Sequence, residues 1–271
     1  MRVELHCHST CSDGSDPAAE VGRRAASRDL GVFCLTDHDT CAGYADAAAA
    51  VPELAIRGVE VSCTEDGRTV HVLCYDAAGD ARWAAVEARL AELAEARMHR
   101  VRVIGANLRM HFGLDVDVAP IVAAAAHRVV GRPDVAAALI AQGLVGSRDE
   151  AFRRYLKDGG PGDPPHRRVS IAELLELVRG AGGRAALAHP HLYADRAATW
   201  FERHRDAGLD GLEAHYGHYG ADDRARWRDF ARARDLVATG GSDWHGPGTA
   251  PDLGVEIPDD DAARLLTWLG R

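Results

Sequence analysis

Two rhythms of hydrophobic and polar positions run along this chain. Residues 2–7 read as a buried strand, and the polar stretch 9–15 that follows reads as a loop. Asp16 stands where a helix N-cap would, with Pro17 at the first helical position. Val21, Ala25 and Ala26 then make an apolar stripe that ends near Leu30-Gly31. The short apolar run 32–36 has the character of a strand covered on both faces, as in a parallel sheet. An alanine-rich helix over about 43–51 leads to two strands, 55–61 and 69–75, and Glu65-Asp66-Gly67-Arg68 between them is a hairpin turn signal.

The rhythm changes in the middle. From residue 80 to about 107 one long helical pattern carries Trp83, Val86, Leu90, Leu93, Val101 and Ile104 on a single stripe. Further helical segments are predicted over 116–126 and 133–142, and a loop rich in Gly and Pro over 158–165. Residues 80–166 therefore read as a helical insertion. Afterwards strands and helices alternate. Ser170 and Glu173 form a capping box, helix 171–180 leads to strand 184–188, helix 197–207 to strand 211–214, and helix 222–234 to strand 236–239. Such alternation predicts an α/β fold with a parallel sheet, closed or open, built from residues 1–79 and 167–271.

Composition narrows the function. The 271 residues suffice for one large domain carrying an insertion, and 46% hydrophobic with 27% charged residues excludes global disorder. A net charge of −9 argues against holding long nucleic acid on a basic face, yet admits a small anionic substrate. No run of about 20 apolar residues is present to span a membrane. The start enters a strand pattern at once, with no signal peptide, so a cytoplasmic location is expected. Cys7, Cys11, Cys34, Cys41, Cys63 and Cys74 lack the paired spacing of a zinc knuckle and are expected as free thiols. Lys157 is the only lysine, which disfavours Schiff-base chemistry.

Candidate chemistry sits where strands end. His6 and His8 follow the first strand with Asp13 just beyond; Asp37, His38 and Asp39 follow the second. Glu60 lies late in the third and His71 in the fourth. His189 and His191, then Glu213 and His215, then Asp243 and His245 follow the last three. In parallel α/β barrels such positions gather on one face. His-x-His at a strand end has a further logic: alternate residues point the same way, so both imidazoles reach one cation while Cys7 points away. Taken singly, each pair is compatible with solvated loop residues or capping aspartates; the series at successive strand ends is not. Imidazole and carboxylate without required thiolate suit Mn²⁺, Fe²⁺ or Zn²⁺.

The motifs His6-x-His8 with Ser12-Asp13-Gly14, Leu35-Thr36-Asp37-His38-Asp39, Gly58-Val59-Glu60-Val61-Ser62, Ala188-His189-Pro190 and Gly241-Ser242-Asp243-x-His245 resemble the PHP (polymerase and histidinol phosphatase) phosphoesterases. Their order is most similar to the nucleotide-phosphatase branch, and Gly131-Arg132-Pro133 and Phe152-Arg153-x-Tyr155-Leu156 extend the resemblance into the insertion. The resemblance implies a distorted, TIM-like barrel of seven β/α units with a trinuclear metal site. His6, His8, Glu60 and Asp243 would hold one metal; Glu60 would bridge to a second held by His71 and His189; Asp13, His38 and His245 would hold the third. Mn²⁺ is the expected ion, with Fe²⁺ or Zn²⁺ as alternatives, two or three per chain.

Phosphate-ester hydrolysis is among the slowest uncatalysed reactions, so charge stabilisation must be large. Two cations about 4 Å apart, with Glu60 setting the separation, supply it and generate hydroxide near neutral pH. Catalytic roles are therefore expected for Glu60 and Asp243. His191 stands as a leaving-group acid, an outer hydrogen-bond donor or a solvated loop residue. His215 and His218, flanking Tyr216 and Tyr219, are expected to line the substrate pocket. Asp37 and Asp39 are read as carboxylates that orient neighbours, with a helix N-cap as the other reading of Asp39. Arg132 matches an arginine that in this branch reaches substrate phosphate. Two departures bear on substrate: Asp134 stands where the branch has a histidine, and Leu192, before Tyr193, where it has an arginine. The expected substrate is a small phosphorylated metabolite, a nucleotide first, with one phosphate fewer than the branch prefers. A cyclic sugar-phosphate diesterase or a sugar-phosphate or histidinol-phosphate phosphatase is the alternative. A metal-dependent amidohydrolase ranks lower, because its bridging lysine has no counterpart: Lys157 lies in the insertion. A non-catalytic metal-binding module is disfavoured by the complete ligand set.

Overall fold

The computed structural model describes residues 1–126, 128–157, 159–163, 168–248 and 252–271. It divides into two compact units, Met1–Arg89 with Val169–Arg271 and Leu90–Arg168. The expected loop over 158–165 lies outside the described residues at 158, 164 and 165, as does the expected boundary at 166/167.

The first unit is mixed α/β. Its strands are β1 (Arg2–Glu4), β2 (Leu30–Phe33), β3 (Gly58–Glu65), β4 (Arg68–Tyr75), β5 (Arg184–Leu187), β6 (Leu209–Tyr216), β7 (Val237–Gly241) and β8 (Val255–Glu256). They form a three-stranded sheet, β2-β1-β8, and a five-stranded sheet, β3-β4-β5-β6-β7. The single parallel sheet expected from the β/α rhythm is corrected here. β3 and β4 are joined by Asp66 and Gly67, both at positive φ, and so tight a turn joins only antiparallel strands. β4 therefore also meets β5 antiparallel, and parallel pairing resumes at β5-β6 and β6-β7. Backbone bonds also join the two sheets: Leu5 N donates to Gly240 O at 3.1 Å and Asp243 N to His6 O at 2.7 Å.

Helices fill the intervals: α1 (Ala18–Ala26), α2 (Tyr44–Ala48), then α3 (Ala84–Phe112), α4 (Ala119–Ala124), α5 (Arg132–Ala141), α6 (Arg148–Arg154), α7 (Ile171–Gly180), α8 (Arg196–His204), α9 (Ala221–Ala233) and α10 (Asp259–Trp268). The capping box at α7 forms as read, with Glu173 N donating to Ser170 Oγ and Ser170 N to Glu173 Oε2. Asp16 does not cap α1; its carboxylate accepts from Arg24 Nε at 2.9 Å.

Alternation along the first strand separates core from chemistry. Val3 and Leu5 enter a core with Val32, Leu73, Ala186 and Leu265, while Cys7 packs with Val21, Phe33 and Leu35 under α1 and α2. His6 and His8 face the other way. The second unit has its own core, including Val101, Ile104, Leu108, Val135, Leu139 and Leu156.

Candidate metal centre

Glu60, on β3, is fully buried and divides its two carboxylate oxygens between two groups of imidazoles. Oε1 lies 3.0 Å from His71 Nδ1 and 3.2 Å from His189 Nε2. Oε2 lies 3.3 Å from His6 Nε2, 3.3 Å from His8 Nε2 and 3.0 Å from His38 Nδ1. Asp243 Oδ1 approaches the same two nitrogens, at 3.3 Å from His6 Nε2 and 3.2 Å from His8 Nε2. Towards solvent, Asp13 stands 3.3 Å from His245 Nε2 and 3.8 Å from His38 Nε2, with half of its side chain exposed at 52%. All nine residues expected as ligands thus converge. Four overlapping sets have ligand atoms within 4.8 Å of one another: His6, His8 and Asp243; His6, Glu60 and His189; His38, Glu60 and His71; and His8, Asp13, His38 and His245.

The arrangement makes poor sense as a hydrogen-bond network. His6 Nε2, His8 Nε2, His38 Nδ1 and Glu60 Oε2 are buried without a hydrogen-bond partner among the described residues. Orphaned polar atoms of this kind cost about 1–3 kcal/mol each unless another ligand satisfies them. Here every orphan points at the others, and the donor set of imidazoles and carboxylates is one that divalent cations take. Charge follows the same pattern. Burial would raise the carboxyl of Glu60, yet His38, His6 and His71 hold it well below the ordinary range. Asp13 is likewise held down against burial by its hydrogen bond to His245 and by His38 and His8. Among the imidazoles, burial pushes His38 down to about 4, whereas Asp243 and Glu60 outweigh burial at His8 and push it up to about 10.

Local backbone explains how the ligands arrive. His189 and Asp243 sit just past β5 and β7 at φ 29° and 54°, conformations that turn each side chain back over its strand end. Gly241 is required there: a Cβ would lie 2.4 Å from His6 Cβ and 2.5 Å from His6 N. Asp37 accepts from Ser9 N, Ser9 Oγ and Ser12 Oγ at 2.6–2.7 Å, which fixes the loop bearing His8 and Asp13. Asp39 does not cap the following helix, whose N-cap is Gly43; its Oδ1 accepts from Ser62 N at 2.8 Å, bracing β3 beside Glu60.

Four groups at the centre carry no role in the sequence reading. Glu4 is fully buried and accepts from His6 N, Ser242 N, Ser242 Oγ and Gly254 N. Glu213, also fully buried, meets His6 Nδ1 at 2.9 Å and accepts from His189 N at 2.7 Å. Tyr216 donates its hydroxyl to Asp243 Oδ2 at 2.7 Å, and Tyr193 accepts from His71 N at 2.9 Å. Glu4 was visible as the same-parity neighbour of His6 and His8. Its partners at 242 and 254 are beyond any local pattern.

The residues expected to bind substrate fall in both units. His191 and His218 are exposed and their rings lie against Tyr216 at 5.5 and 5.0 Å; His191 Nδ1 meets Tyr219 OH at 2.9 Å. Leu192 beside it is 60% exposed. His215 is a correction: it is buried, with Nε2 2.9 Å from Asp261 Oδ2, and does not line the cluster. An irregularity of β6 between Glu213 and His215 breaks the alternation, so the two do not share a face and Tyr216 takes the inward place. In the helical unit, Arg132 Nη1 donates to Leu156 O at 3.2 Å and lies 3.4 Å from Asp163. Asp134 is corrected too: its oxygens accept from Gly131 N, as the N3 residue of α5, and from Arg128. It closes the first turn of its own helix from N3, and its charge is paired with Arg128.

A mixed α/β unit whose strand ends bring six imidazoles and two aspartates around one buried glutamate defines a metal-dependent hydrolase of phosphate esters. The chain belongs to the PHP family: the PHP domain model matches residues 4–130. It is 34% identical to the 3′,5′-nucleoside bisphosphate phosphatase of Chromobacterium violaceum, over 91% of this chain and 88% of that one. It is 31% identical to a 5′-3′ exoribonuclease of Haemophilus influenzae, over 94% of each. A solved structure from Bifidobacterium adolescentis, described as a candidate metal-dependent phosphoesterase, superposes with a TM-score of 0.77 at 28% identity, covering 98% of this chain and 95% of that one.

Proposed function

We propose that this chain is a nucleotide phosphoesterase whose two sheets act together as a distorted barrel around a trinuclear centre. His6, His8, Glu60 and Asp243 hold one cation, His71 and His189 share Glu60 with a second, and Asp13, His38 and His245 hold the third. Mn²⁺ is the favoured ion, Fe²⁺ and Zn²⁺ the alternatives, and the cytoplasm the proposed location. The observation that carries this reading is the division of Glu60, with one oxygen to His71 and His189 and the other to His6, His8 and His38. When bound, such cations neutralise phosphoryl charge and lower the pKa of water to about 7.

The protein's own groups do the rest. Tyr216 occupies Asp243 Oδ2, which keeps Oδ1 turned to His6 and His8. His191, exposed at the rim with Nδ1 tied to Tyr219, offers Nε2 to protonate a leaving oxygen. A nucleotide is favoured because the bisphosphate phosphatase and the exoribonuclease are both similar over nearly the whole chain. RNA 5′ ends are the second reading, on the exoribonuclease likeness alone. The test is phosphate release by metal-reconstituted protein from nucleoside monophosphates, 3′,5′-bisphosphates, short RNA and sugar phosphates. Turnover of a nucleotide is expected; hydrolysis confined to sugar phosphates, or to none, would overturn the reading.

A further inference from the structure

We infer that Glu213 is a positioning residue that sets the ring tautomer of His6 and the backbone of His189, and so prepares ligands of two metal subsites from behind. This inference rests on the proposed metal centre. Glu213 is fully buried, and its carboxylate reaches His6 Nδ1 with Oε1 (2.9 Å) and His189 N with Oε2 (2.7 Å). A carboxylate only accepts. His6 must therefore keep a proton on Nδ1, so that the neutral ring has its lone pair on Nε2. That nitrogen is the one that is buried, unpartnered and 3.3 Å from both Glu60 Oε2 and Asp243 Oδ1. At His189 the same carboxylate holds a non-glycine residue at φ 29° and keeps Nε2 3.2 Å from Glu60 Oε1.

Chemistry makes Glu213→Gln diagnostic. The amide is nearly isosteric but presents one acceptor and one donor. His189 N–H can only donate, so the amide oxygen stays there and the NH₂ faces His6 Nδ1. His6 must then accept on Nδ1 and carry its proton on Nε2, where a cation would bind. Outer partners of metal-bound histidines typically contribute 10–100-fold in affinity. Accordingly, Glu213→Gln should weaken binding of Mn²⁺ about 10–100-fold in competition with a chelating indicator, with the fold retained by circular dichroism. Glu213→Asp, still an acceptor only, should recover part of that loss.

A second readout needs no variant. Ring ¹⁵N correlation spectra of the metal-free wild type, recorded at a pH where the His6 ring is neutral, should show its single proton on Nδ1. Wild-type metal affinity in Glu213→Gln, or a wild-type His6 proton on Nε2, would overturn the inference. Absence of metal binding by the wild type would instead overturn the proposed centre, while the tautomer spectra would still decide the role of Glu213.

Discussion

Glu60 concentrates the demands on this molecule into one side chain. A buried carboxylate surrounded by five imidazole nitrogens at 3.0–3.3 Å is over-supplied with neighbours and under-supplied with hydrogen bonds, since Oε2 has none among the described residues. Its replacement by Gln keeps the shape and removes the charge. Loss of an outer partner alone costs 10–100-fold, so loss of the bridge should lower turnover by about a hundredfold or more. Steady-state kinetics of Glu60→Gln beside its melting curve checks this; activity within a few-fold of wild type, in a protein that melts normally, would contradict the bridging role. At this scale the ligands were legible because residue type and parity coincide: His6 and His8 share a face of one strand extension, and Cys7 packs into the opposite core. Glu213 was seen at its strand end but given no role, because the sequence does not say that His6 and His189 would stand on either side of it.

Elements decide which of these residues arrive. Period-2 alternation predicts Glu213 and His215 on one face, and the irregularity in β6 undoes it, sending His215 to Asp261 on α10. Neither α10 nor β8 was read from the sequence. β8 is two residues long and exists by pairing with β1, a contact more than 250 residues away, so no local period announces it. The hairpin β3-β4 was legible because its turn chemistry is local. Helix α5 shows the same contrast: Asp134 looks like a substrate discriminator by its motif and, as the N3 residue, accepts from the N-cap Gly131 N of its own helix. Asp134→Ala should therefore cost about 0.5–1.5 kcal/mol of stability, the usual worth of one such hydrogen bond, and leave the ratio of bisphosphate to monophosphate specificity constants unchanged. Denaturant unfolding together with that ratio separates the two roles; a changed ratio at unchanged stability would restore the discriminating one.

For the whole molecule, the sequence order of strands was readable but their assembly was not. An apolar run does not disclose whether its neighbour lies in the same sheet, and here the strands divide three and five, with single backbone bonds running from the β1 extension to β7 and the turn after it. Those bonds join the sheet carrying His6 and His8 to the one leading to Asp243, so the centre draws the two together. Glu60 Oε2, crowded by histidines, is buried without a hydrogen-bond partner among the described residues. A divalent cation would satisfy it, and what is said of the Glu60 bridge and of the reaction depends on such ions. The direct measurement is elemental analysis of the protein after reconstitution with Mn²⁺ and removal of free ion. Two or three ions per chain are predicted, falling below that number in Glu60→Gln. A wild-type chain that retains none would contradict the account at its centre.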